Sequence, residues 1–389
     1  MSTALLARGP DLGRLLDDGY DITLAAGHII VRIPYVTENR TVERGFLAHP
    51  VTVAGDRFVS GTDHRIWFGG STPCDEHGRP LTLATPELRA IADNIQVSFM
   101  LSSKPSGGYP DQYTKITAYT RIVADYAHAL DPTATPTPTP GAAWQEIDDD
   151  SPFAYRDTAT SRAGLTAVNR RFRGHRIAIV GLGGSGSYIL DQVAKTEVDS
   201  ILLIDGDTFD NHNAFRAPGA PTLDTLRTRP PKAIHFASIY ANMHQGVTAC
   251  AQYLDEDNLD LLEGATFVFL ASDDAAGKPP VMDWLEAHDV PFIDVGMGIE
   301  EIDGRLSGLL RITTSLLGRR DTARRRIPRP APERDAYASN IQTADLNALN
   351  AVLAVIRWKR SLGIYADATD EAHTTYSLIT NEIANEDLP

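Results

Sequence analysis

Gly181, Gly183, Gly184 and Gly186 fall within six residues, directly after the apolar run Arg176–Val180 and directly before a stretch of helical character, 187–195. Glycine accepts backbone conformations and close approaches that a Cβ forbids. A strand that turns through such residues into a helix leaves the free N–H groups of the helix start facing any anion that enters. A helix leaving a strand in this way returns the chain to the sheet in parallel. Apolar runs at Ser200–Ile204, 265–270 and 291–295 supply the strands that follow. Continuous apolar strands alternating with helices predict an α/β fold, a doubly wound, mostly parallel Rossmann-like sheet covered on both faces.

The chain has 389 residues, more than one ordinary core accommodates, so two domains are expected. Alternating Pro and Thr over 132–141, followed by acidic residues up to Asp150, mark a polyproline-like spacer. The expected organisation is a smaller N-terminal α+β domain over 1–131, a linker over 132–150 and the α/β domain over 151–389. The N-terminal part carries β-branched runs at 28–35 and 45–53, a further run ending in Gly69 and Gly70, and a helical pattern over 113–130.

The net charge of −15 opposes nucleic acid as a partner. No apolar run approaches the roughly 20 residues that span a bilayer, and the first thirty residues lack a secretory pattern. A cytoplasmic protein with no membrane partner is expected. Cys74 and Cys250 are the two cysteines and match no metal spacing. The arginines between Arg319 and Arg334 read either as a solvated flexible loop or as a basic strip for an acidic partner or ATP.

Asp205 closes the second strand, where a carboxylate can accept hydrogen bonds from a ribose diol. By itself this suggests an NAD-dependent oxidoreductase. The residues beyond it do not fit that reading. Asp205 and Asp207 form a D-x-D pair, Asn213 and Arg216 an N-x-x-R pair, and Pro231, Lys232 and Ala233 a P-K-A triplet, followed by Asp273, Asp274 and Lys278. In this order the motifs resemble those of the ThiF/MoeB/HesA family, the bacterial relatives of ubiquitin-activating enzymes. Asp274 and Lys278 stand where that family has Asn and Arg.

The resemblance covers about 165–389 and implies ATP-dependent adenylation of the C-terminus of a ubiquitin-like carrier protein, with ATP and Mg²⁺ as cofactors. It implies that Gly181, Gly183, Gly184, Ser185 and Gly186 hold the nucleotide, with Asp205 on the ribose and Asp207 and Asn213 shaping the site. Arg216 and Lys232 would neutralise phosphate charge, Asp273 would hold the metal, and Lys278 would lie beside the nucleotide. Arg170 or Arg171 would reach the neighbouring subunit's site in a homodimer. The plainer readings are a turn for Asn213, helix capping for Asp273 or Asp274, surface charge for Arg216 and Lys232, and a helix end for Arg170 and Arg171.

Many members carry a thioester-forming cysteine after the region of Gly296 and Gly298, which is expected to form a late strand turn. No cysteine occurs from 251 to 389, so a self-thioester is not expected and the adenylate would pass to an E2-like or other acceptor protein. Cys74, in a stretch rich in Gly, Pro and Ser, reads as exposed, either as an accepting thiol or as a turn residue. Trp67 and Phe68 are candidates for interface anchors or for the core. The N-terminal residues Ile33, Pro34, Tyr35 and His64–Gly70 resemble an uncharacterised domain found ahead of ThiF-type domains in bacterial ubiquitin-like operons, which implies a docking or acceptor module. Competing functions are adenylation of a sulfur carrier, small molecule or peptide, an oxidoreductase, and a non-catalytic nucleotide-binding scaffold.

Overall fold

The computed structural model describes residues 10–25, 27–51, 53–54, 57–58, 63–92, 95–137, 145–146, 151–155, 157–163, 165–274, 276–327 and 341–386. They divide into two compact units, 1–151 with 155–168, and 152–154 with 169–389.

The first unit opens with the short helix α1 (Pro10–Asp17), then strands β1 (Ile22–Ala25), β2 (His28–Val36) and β3 (Val42–Pro50). A two-residue hairpin, β4 (Val53–Ala54) with β5 (Arg57–Phe58), precedes β6 (Ile66–Gly69), β7 (Ala84–Ala92), β8 (Ile95–Leu101) and helix α2 (Gln112–Leu130). The sheet order is β7-β8-β6-β3-β2-β1-β9, where β9 (Gln145–Glu146) lies inside the stretch read as linker and pairs in parallel with β1. Ile116, Tyr119 and Val123 of α2 pack on Ile29, Val31, Leu47 and Phe68. Trp67 and Phe68 are core residues: Phe68 is fully buried edge-on to Tyr35, and Trp67 Nε1 donates to Glu87 at 2.9 Å.

Cys74 is buried rather than exposed. Its backbone bridges Val36 and Pro80, and its side chain packs with Val36 and Ala127 while the thiol donates to the Thr72 carbonyl. Turn-forming neighbours describe the local path, but tertiary packing sets the burial. Burial pushes the thiol pKa up, and Glu38 and Asp75 add to the rise.

The second unit is an eight-stranded sheet, order β12-β11-β10-β13-β14-β15-β16-β17. The strands are β10 (Arg176–Val180), β11 (Ser200–Ile204), β12 (Val247–Cys250), β13 (Phe267–Leu270), β14 (Phe292–Ile302), β15 (Arg305–Ser315), β16 (His373–Ser377) and β17 (Glu382–Glu386). β12 to β14 run parallel and β14 to β17 antiparallel. Alternate residues of β10 feed opposite faces. Ile177 and Ile179 meet Ile189 and Val193 of α3 (Gly184–Val193) and Trp358 of α9 (Ala344–Ser361). Ala178 and Val180 meet Val281 and Leu285 of α7 (Lys278–Ala287) and Ala323 of α8 (Arg320–Arg326). Among the described residues no helix is long and apolar enough to cross a membrane.

Three features of this second unit differ from what the sequence predicts. The helix after the glycines starts at Gly184, so Gly184 and Gly186 belong to its first turn. Gly296 and Gly298 do not end the late strand: β14 continues to Ile302 and turns at Asp303 and Gly304, whose φ values of 53° and 74° suit a two-residue hairpin. A Cβ at Gly296 would meet Arg311 Nη2 at 2.5 Å, so this glycine makes room for a side chain. From Arg319 to Arg326 the basic segment is ordered and internally paired: Arg319 to Asp370, Arg320 to Asp289, Arg324 to Glu286 and Arg326 to Glu386. Arg329 and Arg334 lie outside the described residues.

Candidate functional site

The paired positions Cys250, Ile204, Val180, Leu270 and Asp294 form the last row of the parallel sheet, and the residues just beyond it build one edge. Gly181 leaves β10 with φ 86°, and a Cβ there would meet the Ser272 backbone nitrogen at 2.6 Å. Its loop therefore closes against the loop leaving β13. A Cβ at Gly186 would meet the Gly181 carbonyl oxygen at 1.9 Å, which packs the helix against the turn. Gly183 has no neighbour within 4 Å of a built Cβ and faces open space. The amides of Gly184, Ser185 and Gly186 lie in the first helical turn, where no carbonyl of the helix reaches them. The Ser185 hydroxyl is turned to α9, donating to Asn347 at 3.0 Å and receiving Asn350.

Asp205 joins this turn to the next. Its Oδ2 accepts the Leu182 N–H at 2.6 Å and its Oδ1 the Asp207 N–H at 2.8 Å. Each carboxylate oxygen keeps a further acceptor site. Burial raises the Asp205 pKa, against the opposing pull of the Leu182 N–H and Lys232. Asp207 is half-exposed and accepts the Lys232 ammonium at 2.6 Å and the Tyr253 hydroxyl at 2.5 Å, bonds that lower its pKa. Lys232 opens the helix Lys232–Tyr240, and its side chain is almost fully buried.

The helices in that crossover are α4 (Asn211–Ala214), α5 (Leu223–Thr228) and α6 (Lys232–Tyr240). Asn213 is 2% exposed; its Oδ1 accepts the Asp210 N–H at 2.9 Å. Its Nδ2 is buried without an acceptor among the described residues, and so is Nε of half-buried Arg216. Buried donors left unpaired are costly, and a site awaiting an acceptor explains two of them in one short segment. Arg229, absent from the sequence-based set, fixes Asp210 through bonds of 2.6 and 3.0 Å.

On the other side of the glycines, Asp273 and Asp274 follow β13 and are exposed. Asp274 accepts the Ala276 N–H in a local turn and does not cap the following helix, whose N-cap is Gly277, whereas the Asp273 carboxylate has no partner among the described residues. Mg²⁺ is held by one or two carboxylates together with phosphate oxygens and water. The single free carboxylate of Asp273 fits that mode. No group of three or more His, Cys, Asp or Glu side chains able to hold a metal occurs among the described residues.

Lys278 is not directed at the glycine turn. It is buried against Asp294 at 2.5 Å, and Arg311 approaches the other Asp294 oxygen at 2.6 Å. Arg311 also donates to Thr313 Oγ1, which contacts His373 Nδ1 at 3.0 Å. Asp294 is fully buried. Sequence reasoning missed Arg311, which has no local motif. Arg170 and Arg171 precede β10 and so lie at the edge opposite the glycine turn; Arg171 donates to the Gly363 carbonyl. The cleft of about 530 Å³ lined by His175, Thr266, Pro291, Leu317, Arg360 and Asp370 sits at that same opposite edge.

Residues 156–378 match the model of the ThiF family, and residues 10–158 match a domain of unknown function, DUF6791. No curated protein matches the chain. Among solved structures, E. coli MccB with MccA-N7isoASN is 15% identical over 59% of this chain and 69% of its own, with TM-score 0.48. E. coli MccB with ATP is 14% identical over 59% and 71%, with TM-score 0.47. PaaA is 17% identical over 57% and 76%, with TM-score 0.40.

Proposed function

Because this chain belongs to the ThiF family, with residues 156–378 matching it, we propose that its second unit binds ATP at the glycine turn and adenylates the C-terminal carboxylate of a ubiquitin-like polypeptide. The observation that carries the reading is the linkage from Leu182 through Asp205 and Asp207 to Lys232. It brings a ribose-competent carboxylate and a buried cation to the glycine turn, and hydride transfer requires no such cation.

Attack of a carboxylate on the α-phosphate joins two anions, so the protein must align them and offset their repulsion. The first-turn amides of α3 receive phosphate oxygens, and the spare acceptor sites of Asp205 receive the ribose hydroxyls. Asn213 Nδ2 and Arg216 Nε find in the phosphates the acceptors the chain does not give them. Lys232 adds positive charge from a position with little access to solvent. Asp273 would hold Mg²⁺, whose charge would offset that of the phosphates.

The activated carboxyl group is then transferred to a nucleophile on another molecule, with AMP as the leaving group. No cysteine occurs from 251 to 389, Cys250 ends β12 half-buried, and Cys74 is buried in the first unit. An E2-like protein or another acceptor fits this role, with the N-terminal unit as docking module. The family resemblance implies a homodimer in which Arg170 or Arg171, which precede β10, acts on the partner's nucleotide.

The deciding experiment is ATP–pyrophosphate exchange by the full chain with a ubiquitin-like protein ending in a free carboxylate. Exchange dependent on that protein supports the reading. Exchange with short peptides alone moves the substrate class to peptides, and tight NAD(H) binding without exchange overturns adenylation.

A further inference from the structure

The sheet order β12-β11-β10 sets a direction across the site. A nucleotide with its phosphates on the turn after β10 and its ribose on Asp205 after β11 carries its base towards the end of β12. Tyr253 lies there, in the loop after Cys250. Its ring rests on the backbone of Gly206, where a Cβ would meet the ring's Cγ and Cδ2 at 2.7 Å. Its hydroxyl donates to Asp207 Oδ1 at 2.5 Å, and its carbonyl accepts Asn258 Nδ2 at 2.9 Å. Asn258 in turn accepts the Asp255 N–H at 2.9 Å. The ring is thus fixed at both ends, yet the residue is 66% exposed. An aromatic ring pinned by its backbone and its hydroxyl, with much of its surface open, is a prepared stacking surface.

We propose that Tyr253 is the platform on which the purine base of the bound nucleotide stacks. This rests on the reading that ATP occupies the glycine turn, and it deepens that reading by assigning the seat of the base to one residue. Stacking on an aromatic face discriminates weakly between A and G, because every base offers a π-face, but it favours the larger purines over pyrimidines. The hydroxyl also shares Asp207 with Lys232, so the base end and the phosphate end of the site meet on one carboxylate.

The test is calorimetric binding to the full chain of ATP and of ribose 5-triphosphate, which lacks the base. Tyr253→Ala should weaken ATP about tenfold and leave ribose triphosphate unchanged. Tyr253→Phe keeps the ring and should retain ATP affinity, with a smaller loss in exchange rate through Asp207. An equal loss of both ligands in Tyr253→Ala overturns the platform and assigns Tyr253 to positioning Asp207. Unchanged ATP affinity in Tyr253→Ala overturns it as well. Failure of the wild-type chain to bind ATP, with circular dichroism showing it folded, removes the underlying reading and the platform together.

Discussion

Asp207 and Lys232 are bound to each other twice. The Lys232 ammonium lies 2.6 Å from Asp207 Oδ2, and the Lys232 N–H donates to the Asp207 carbonyl at 2.9 Å. The start of α6 is therefore fixed to the loop after β11, and a cation with a side chain 7% exposed sits beside a half-exposed carboxylate. Lys232→Ala should slow ATP–pyrophosphate exchange about 10²–10³-fold, the usual loss for one preorganised group at a developing charge. Lys232→Arg should restore part of it. An unchanged rate in the alanine variant would remove Lys232 from the chemistry.

Asn213 separates a structural from a binding role within one side chain. Its Oδ1 caps the turn at Asp210, while its Nδ2 is buried without a partner among the described residues. Asn213→Asp keeps the accepting oxygen and removes the donor. Its thermal midpoint should move by less than about 4 °C, while the ATP Kd rises about tenfold or more. A large drop in midpoint with unchanged ATP affinity would make Asn213 a turn residue only.

The parts of this molecule legible in sequence are those specified by neighbours in the chain. Gly181, Gly183, Gly184 and Gly186 needed only the strand before them and the helix after them, and the parallel core followed. The D-x-D pair likewise serves its own turn through the Asp207 N–H bond to Asp205. What stayed hidden depends on residues far apart in sequence. The arginines from Arg319 to Arg326 look solvated until Glu286, Asp289, Asp370 and Glu386 are brought beside them. β7 and β8 mix Pro86, Glu87, Arg89 and Gln96 into their pattern, so their periodicity is weak. The turn at Asp303 and Gly304 was a local signal, overshadowed by two glycines in the strand before it.

Asp294 is an instance of a role with no local signature. Its fully buried carboxylate takes Lys278 on one oxygen and Arg311 on the other. Removing the carboxylate leaves two cations facing each other at low exposure. Asp294→Ala should destabilise the second unit by about 3–5 kcal/mol, the range for breaking a buried ion pair from one side, read from urea unfolding of the full chain. Lys278→Met with Arg311→Met in the same background should recover much of that loss. A change below about 1 kcal/mol in the single variant, typical of surface pairs, would show that solvent reaches the group.

Cys74 should behave as packing. With its thiol buried and its pKa raised by burial, Glu38 and Asp75, iodoacetamide should modify it only under denaturing conditions. Cys74→Ala should leave transfer of the activated polypeptide intact. Rapid alkylation of the native chain at Cys74, or loss of transfer in the alanine variant, would make it an acceptor thiol after all.

The N-terminal unit carries its own pH dependence. His49 is 3% exposed, with Nδ1 3.1 Å from the Lys115 ammonium, which also donates to the Asp63 and Arg65 carbonyls at 2.7 Å each. Lysine only donates, so the facing ring nitrogen accepts and the imidazole is neutral. Burial, and then the charge of Lys115, hold the His49 pKa down to about 3 from 6.5. The folded value lies below the unfolded one, so the unfolded chain binds more protons between them. Stability contributed by His49 is therefore fully present above pH 6.5 and drains away as the pH falls towards about 3. Lys115, lowered to about 8 from 10.5 by burial, acts with the same sign at higher pH, where stability rises as the amine deprotonates. Between pH 7 and 4.5 the urea midpoint of this unit should fall, and His49→Gln, which accepts a hydrogen bond but does not titrate, should flatten the slope. Parallel slopes for the two proteins would mean that the acidic loss comes from carboxylates elsewhere and that His49 does not link folding to pH.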